Sequence, residues 1–143
     1  MPYLDTSLLG SYYCPEPLSR VVTQAMTDAS DLVISPMVEL EFYSLVAMKV
    51  RMRALTPAAG QKTLAQFRMH LGGGYFGIVE IGPREYDIAK TWMASFNIAL
   101  RTVDALHLAC AFIQGHSLWT SDKPLAQAAK HVGVEHRLIA ARH

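Results

Sequence analysis

Residues 100–126, LRTVDALHLACAFIQGHSLWTSDKPLA, contain the alternation of helix and strand that decides the fold. Thr102 is a favourable N-cap for a helix that extends to about Gln114. The short apolar run SLWT then predicts a buried strand at 117–120, and a second helix follows over 122–132. A helix, a buried strand and another helix in this order are typical of α/β domains with a parallel sheet.

The same alternation extends towards both ends of the chain. The other predicted strands are YLD at 3–5, LVIS at 32–35, YFGIVEI at 75–81 and VEHRLI at 134–139. Helices between them are predicted from their first residues: Thr6 and Ser7 as caps, Pro15 with Pro17, Ser35-Pro36, Thr56-Pro57, and Gly82-Pro83 for a helix that continues through Phe96. Right-handed crossovers between parallel strands would place helices on both faces of the sheet.

Length and composition limit the class of protein. The chain has 143 residues, which predicts one domain over residues 1–143. Hydrophobic residues make up 51% and charged residues 17%, and this composition excludes a disordered chain. The formal net charge is +1, so any nucleic acid must bind a local patch rather than the charge of the whole protein.

Compartment and metal chemistry are also constrained. The apolar stretches are shorter than the roughly 20 residues of a membrane span, and the N-terminus lacks signal-peptide features. Cys14 and Cys110 form no CxxC motif, and no histidine pair has HxxxH or HExxH spacing. We therefore expect a cytoplasmic protein with reduced thiols, no membrane association and no zinc site.

Three aspartates are predicted to meet at one edge of the sheet. Asp5 ends the first strand, Asp122 follows the strand at 117–120, and Asp104 lies in the first turn of the helix after Thr102. In open parallel sheets, ligands bind beyond the carboxyl ends of the strands where the strand order reverses. Each aspartate has a simpler alternative interpretation as a helix-capping or helix-dipole residue.

A glutamate on the helix after Ser35 is expected to join them. Glu39 and Glu41 are about 200° apart on a helix and face opposite ways. The Glu41 side also carries Met37, Val38, Leu45, Met48 and Met52, whereas the Glu39 side continues to Lys49 and Arg53. We therefore predict that Glu41 faces inward and that Glu39 is solvated, although Glu41 could simply pair with a nearby base.

Gathered carboxylates favour a bound cation. Two carboxylates about 5 Å apart repel by about 3 kcal/mol at an effective dielectric constant near 20. A divalent ion would remove this repulsion, and an all-oxygen ligand set suits Mg²⁺ or Mn²⁺. Such ions can activate water for phosphodiester hydrolysis.

Four motifs make the sequence resemble the PIN-domain family and, within it, the VapC-type toxins of bacterial toxin–antitoxin pairs. The motifs are YLDTS at 3–7, SPMVELE at 35–41, LRTVDALHLA at 100–109 and the WTSD-PLA pattern at 119–126. They follow the family's order and spacing. The resemblance extends from residue 3 to about residue 134.

The resemblance implies a three-layer α/β/α sandwich with a mainly parallel five-stranded sheet of order 3-2-1-4-5. It implies an Mg²⁺- or Mn²⁺-dependent ribonuclease whose acids correspond to Asp5, Glu41, Asp104 and Asp122, with the Thr120 hydroxyl nearby. It also implies a homodimer that is silenced by a VapB-type antitoxin, whose tail enters the active-site groove.

Our hypothesis is therefore RNA hydrolysis by a metal-activated water. Asp5 and Asp104 would hold the main ion, and Asp122 and Glu41 would complete the site or hold a second one. Three accessory residues, Thr6, Thr120 and Arg101, could orient waters or reach phosphate. Their alternatives are helix caps for the threonines and a rim charge for Arg101.

Two questions stay open at this point. His107 could hydrogen-bond an acid or donate a proton, or it could be a buried packing residue. The chain as a whole could instead be a catalytically slow or inactive module that binds RNA or an antitoxin. The cleaved RNA is not identified by the sequence.

Overall fold

The protein is built around a parallel β-sheet, which the computed structural model describes within residues 1–140. The last three residues of the expected domain, 141–143, lie outside the described residues. The strands are β1 (Pro2–Leu4), β2 (Val33–Ile34), β3 (Gly77–Ile78), β4 (Ser117–Thr120) and β5 (His136–Leu138). Every adjacent pair is parallel, and the order is β3-β2-β1-β4-β5, as the resemblance implies.

Seven helices connect or follow these strands in the described residues. They are α1 (Thr6–Tyr13), α2 (Ser19–Asp28), α3 (Pro36–Arg51), α4 (Pro57–Gly72), α5 (Pro83–Ala94), α6 (Thr102–Gln114) and α7 (Lys123–Val132). The predicted stops of α6 and α7 are confirmed, because Gly115 and Gly133 adopt left-handed conformations with φ of 70° and 79°.

The central strand is covered on both faces. Tyr3 and Leu4 of β1 point to opposite sides of the sheet, and both are fully buried. Burial of successive residues in β1 and β2 requires helices on both faces, and this explains why these two strands do not alternate between apolar and polar residues. No helix within residues 1–140 is both long and apolar enough to cross a membrane.

The first residues of two helices differ from the prediction. Asp5, rather than Thr6 or Ser7, is the N-cap of α1, and its carboxylate accepts the Leu8 backbone N–H. Thr102 is the first residue of α6 rather than its cap, and Arg101 occupies the cap position without a side-chain bond. In both helices a residue adjacent to the expected one takes the extended backbone conformation that a cap requires.

Three strands are shorter than the apolar runs that predict them. β3 contains only Gly77 and Ile78, although the run covers 75–81, because it is an edge strand with a partner on one side. Likewise, β2 and β5 are shorter than their runs. Helix α2 begins at Ser19 rather than at Pro17, because Pro17 and Leu18 form a turn.

The C-terminus of α5 has an unusual backbone. The helix ends at Ala94 instead of continuing through Phe96, and Phe96 adopts a left-handed conformation with φ of 58°. This position after a helix usually holds glycine, since a Cβ is unfavourable there. The Phe96 side chain is 91% exposed, so its burial contributes nothing that offsets this strain.

We therefore expect Phe96→Gly to stabilise the protein. Relief of the left-handed conformation is worth about 1–2 kcal/mol, and the extra chain entropy of glycine in the unfolded state removes about 0.4–1 kcal/mol of that gain. Thermal unfolding followed by circular dichroism should show a higher melting temperature, by a few degrees. A lower melting temperature would mean that the phenyl ring makes a stabilising contact.

Candidate active site

Three of the four predicted acids line one cavity at the carboxyl edge of the sheet. The cavity has a volume of about 630 Å³, and its acidic residues are Glu41, Asp104 and Asp122. These carboxylates come from α3, the first turn of α6 and the position before α7. The remaining lining residues are Ala99, Arg101, Thr102, Val103 and Pro124. The edge of the sheet therefore carries an acidic recess with one arginine at its border.

Glu41 is held by two hydrogen bonds from different elements. Thr6 donates its hydroxyl at 2.8 Å, and His107 Nε2 lies 2.5 Å from the same carboxylate oxygen. Burial opposes ionisation of Glu41, but the hydrogen bond and charge of His107, with the Thr6 bond, outweigh it and lower the pKa of Glu41. Glu41 is thus held as a carboxylate in one orientation.

The contact with His107 continues into the core. His107 Nδ1 lies 2.7 Å from the Tyr3 hydroxyl, which lies 2.8 Å from Ser35 Oγ. Because the Glu41 carboxylate only accepts, His107 Nε2 carries a hydrogen. His107 Nδ1 accepts from the Tyr3 hydroxyl when the ring is neutral and donates to that hydroxyl when the ring is charged. Burial raises the pKa of Tyr3, so its hydroxyl stays protonated and available to donate.

Sequence reasoning missed the roles of Tyr3 and Ser35. A tyrosine in a buried strand needs a hydrogen-bond partner, which was the available signal. The sequence alone could not identify that partner, since Tyr3 and His107 are separated by 104 positions. Of the alternatives for His107, the hydrogen bond to an acid is the one that the structure contains, and the ring is also buried.

Asp5 lies behind the cavity rather than on its wall. It is only 5% exposed, and its two carboxylate oxygens accept from Ser7 and Thr120, each at 2.5 Å. Burial raises the pKa of Asp5, and the hydroxyl hydrogen bonds partly oppose this effect. The capping alternative for Asp5 is confirmed, and the same carboxylate also joins β1 to β4 through Thr120.

Thr120 and Ser7 connect Asp5 to the segment that carries Asp122. The Asp122 N–H donates to Thr120 Oγ1 at 2.9 Å, and the Ser121 N–H donates to Ser7 Oγ at 3.1 Å. Asp122 occupies the N-cap position of α7, but its side chain makes no capping hydrogen bond. Its carboxylate is therefore left to face the cavity.

The cavity acids influence one another. Burial raises the pKa of Asp104, and the negative charge of Asp122 raises it further, while His107 and Arg101 act in the opposite direction. Arg101 is exposed at the border of the cavity. Three carboxylates and one exposed guanidinium thus share a partly buried recess, an arrangement that a hard cation would relieve.

The donor set suits such a cation without forming a closed ligand shell. Within residues 1–140, no group of three or more His, Cys, Asp or Glu side chains is arranged to hold a metal ion directly. Mg²⁺ is commonly held by one or two carboxylates, with waters and substrate phosphate completing six oxygens. Asp104 and Asp122, with Glu41 on the same cavity, supply the one or two carboxylates that such a Mg²⁺ site needs.

Glu41 faces the cavity as predicted, but the buried face of α3 consists largely of other residues than those expected. The fully buried residues of α3 are Val38, Phe42 and Val46, four positions apart. Met48 and Met52, assigned to the inward side with Glu41, are 40% and 72% exposed. From residue 47 onwards no α3 residue is fully buried, so the last turns of the helix extend beyond the core.

Known structures share this architecture. The FitAcB structure from Neisseria gonorrhoeae matches with a TM-score of 0.68 and 19% identity over 95% of this chain and 96% of that chain. VapC20 of Mycobacterium tuberculosis, a sarcin–ricin loop cleaving toxin, matches with a TM-score of 0.71 and 15% identity over 90% and 95%. VapBC2 from Rickettsia felis, bound to a promoter DNA fragment, matches with a TM-score of 0.67 and 15% identity over 96% and 98%.

These identities are low, so the structural matches show a shared fold. No curated protein has significant similarity to the chain. The family model for the PIN domain, however, matches residues 3–131, which include all four predicted acids. The chain therefore belongs to the PIN domain family.

Proposed function

We propose that the protein is a metal-dependent endoribonuclease and the toxin of a VapBC-type toxin–antitoxin pair. The observation that carries the proposal is the acidic cavity, where Glu41, Asp104 and Asp122 meet at the carboxyl edge of a PIN-domain sheet. Carboxylates at this place are suited to hold a hard ion against an RNA phosphate.

In this proposal Asp104 and Asp122 would hold Mg²⁺ or Mn²⁺, and Glu41 on the same cavity would complete the site through waters or substrate. Asp5 supports the site from behind through Thr120 and becomes a further ligand if its hydroxyl partners rotate away. When bound, the ion supplies an activated water and stabilises charge on phosphate oxygens. One ion or two would be compatible with this set of acids.

The remaining residues bind and orient. Thr6 and His107 hold the Glu41 carboxylate in a fixed direction. Arg101, exposed at the border of the cavity, is placed to bind a phosphate oxygen of the substrate by charge-assisted hydrogen bonds. No side-chain nucleophile is required, since all the proposed groups act by position and charge.

The partner assignment rests on the structural neighbours. They include a toxin–antitoxin complex from Klebsiella pneumoniae and the VapBC2 complex from Rickettsia felis. We propose that a VapB-type antitoxin silences this protein and that the free protein is a homodimer. Antitoxin-free protein should therefore sediment as a dimer, and a monomer over the tested concentration range would reject that part.

A second function keeps some support. Both oxygens of Asp5 are already hydrogen-bonded, and no closed metal group exists within residues 1–140. A module that binds RNA or an antitoxin without turnover would have these features. The two functions differ in what happens when an acid becomes an amide, because only catalysis depends on its charge.

We expect Asp104→Asn to reduce RNA cleavage more than about 100-fold, since loss of groups that only support metal ligands already reduces activity about 10- to 100-fold. The substrate is a mixed pool of folded cellular RNAs, incubated with Mg²⁺, Mn²⁺ or EDTA. The wild-type protein should give discrete cuts that require the metal.

The matched control for the acids is on α3. Glu41→Gln should strongly reduce cleavage, whereas Glu39→Gln on the same helix should leave it unchanged. Equal RNA binding by the wild-type and amide variants, with no metal-dependent cuts from folded wild-type protein, would favour the non-catalytic module.

His107 should act as a positioning residue for Glu41. His107→Leu removes the donor and leaves Glu41 and Tyr3 with unmet hydrogen bonds, so it should destabilise the protein by about 1–3 kcal/mol and reduce cleavage about 10- to 100-fold. His107→Gln retains an N–H donor near Nε2 and should preserve more cleavage at equal folded fraction. Equal losses in the two variants, at matched circular dichroism, would reject the positioning role.

A further inference from the structure

The loop between α5 and α6 carries an exposed aromatic residue that the fold does not need. Phe96 is 91% exposed, more than any other large hydrophobic residue among those described, and its φ of 58° is strained for a residue with a Cβ. The ring therefore gains no burial energy and is held in a conformation that glycine would adopt more easily. An unexplained strained position of this kind is a reason to consider function.

Local hydrogen bonds fix the loop. The Ser95 hydroxyl donates to the Trp92 carbonyl at 2.6 Å and accepts from the Asn97 N–H at 3.4 Å. The Phe96 N–H donates to the Met93 carbonyl at 3.2 Å. The backbone that presents the ring is thus attached to the end of α5.

The same loop leads into the acidic cavity. Ala99 and Arg101 line that cavity, and Phe96 precedes Ala99 by three residues. Three peptide units span at most about 11 Å, so the Cα atom of Phe96 lies within about that distance of the Cα atom of Ala99 on the cavity wall. A nucleic-acid strand with one phosphate in the cavity would pass its neighbouring bases across this loop.

The surroundings of Phe96 favour a nucleobase over an apolar protein face. The flanking residues Ser95 and Asn97 are polar and exposed, and Arg101 supplies positive charge on the phosphate side. Proteins that bind single strands combine aromatic rings, which stack on bases, with cations that contact the backbone. An exposed ring on a loop that leads to a cavity of about 630 Å³ with an arginine at its border fits that combination.

We propose that Phe96 is a stacking residue that binds an unpaired base next to the phosphate held in the acidic cavity. This inference rests on the proposed ribonuclease function, and it identifies a single-stranded or looped substrate, in which bases are free to stack. The ring acts through its π face. It contributes to binding and to the choice of cleavage position rather than to the reaction itself.

The test separates stacking from simple apolar contact. Binding of a short single-stranded RNA containing 2-aminopurine is measured in an Asp104→Asn background, so that the RNA is not cut. Phe96→Ala and Phe96→Leu should weaken binding about 5- to 100-fold and reduce the quenching of 2-aminopurine. Phe96→Tyr keeps the ring and should restore both signals.

Met93, 37% exposed in the last turn of α5, provides the control. Met93→Ala should leave RNA affinity unchanged. Unchanged affinity and quenching in Phe96→Ala would overturn the proposal. So would loss of self-association in both Phe96→Ala and Met93→Ala with RNA affinity unchanged, since that result identifies a protein contact.

Cleavage assays on proteins with intact acids distinguish failure of the stacking role of Phe96 from failure of the nuclease activity. If wild-type protein and Phe96→Ala cut RNA with equal KM, the stacking role fails while the nuclease stands. If wild-type protein binds RNA and never cuts it, the nuclease fails, and the binding data still report on Phe96.

Discussion

The parallel pairing of β1 with β4 is the constraint on which the site depends. It brings Asp5, which follows β1, beside Thr120 at the end of β4. This is the point where the strand order reverses. The Asp5 N–H donates to the Trp119 carbonyl, and the Asp5 carboxylate accepts from the Thr120 hydroxyl. Helices α6 and α7 then project Asp104 and Asp122 into the same cavity.

Buried polar groups make this edge of the sheet rigid. One chain of hydrogen bonds runs from Ser35 through Tyr3 and His107 to Glu41, and another joins Ser7, Asp5 and Thr120. Within residues 1–140 no fully buried side-chain nitrogen or oxygen lacks a partner. A network in which every polar group is hydrogen-bonded fixes the orientation of its side chains. Loss of one member leaves a buried polar group without a partner, which destabilises the protein. The acids therefore owe their directions to other residues of the same four motifs, which the fold brings together from distant parts of the chain.

Much of the fold could be predicted, because its signals are local. Helix boundaries at Ser35-Pro36 and Gly115 depend on neighbouring residues alone. The convergence of Asp104 and Asp122 follows from parallel topology. The contact of His107 with Tyr3 could not be predicted, since it depends on how side chains 104 positions apart pack. The exposure of Met48 was also missed, because periodicity does not reveal where a helix extends beyond its core.

The distance along the chain between Asp5 and Thr120 also delays their contact during synthesis, because Asp5 is made well before Thr120. The two residues are 115 positions apart. At ribosomal speeds of about 5–20 residues per second, roughly 6–23 s pass between their syntheses. During that interval the first strand has no β4 partner, and the aspartate that ends it cannot take its final place. The acidic recess can assemble only after the chain through Asp122 has left the ribosome. Until then the nascent chain contains Asp5, Glu41 and Asp104 without their final arrangement.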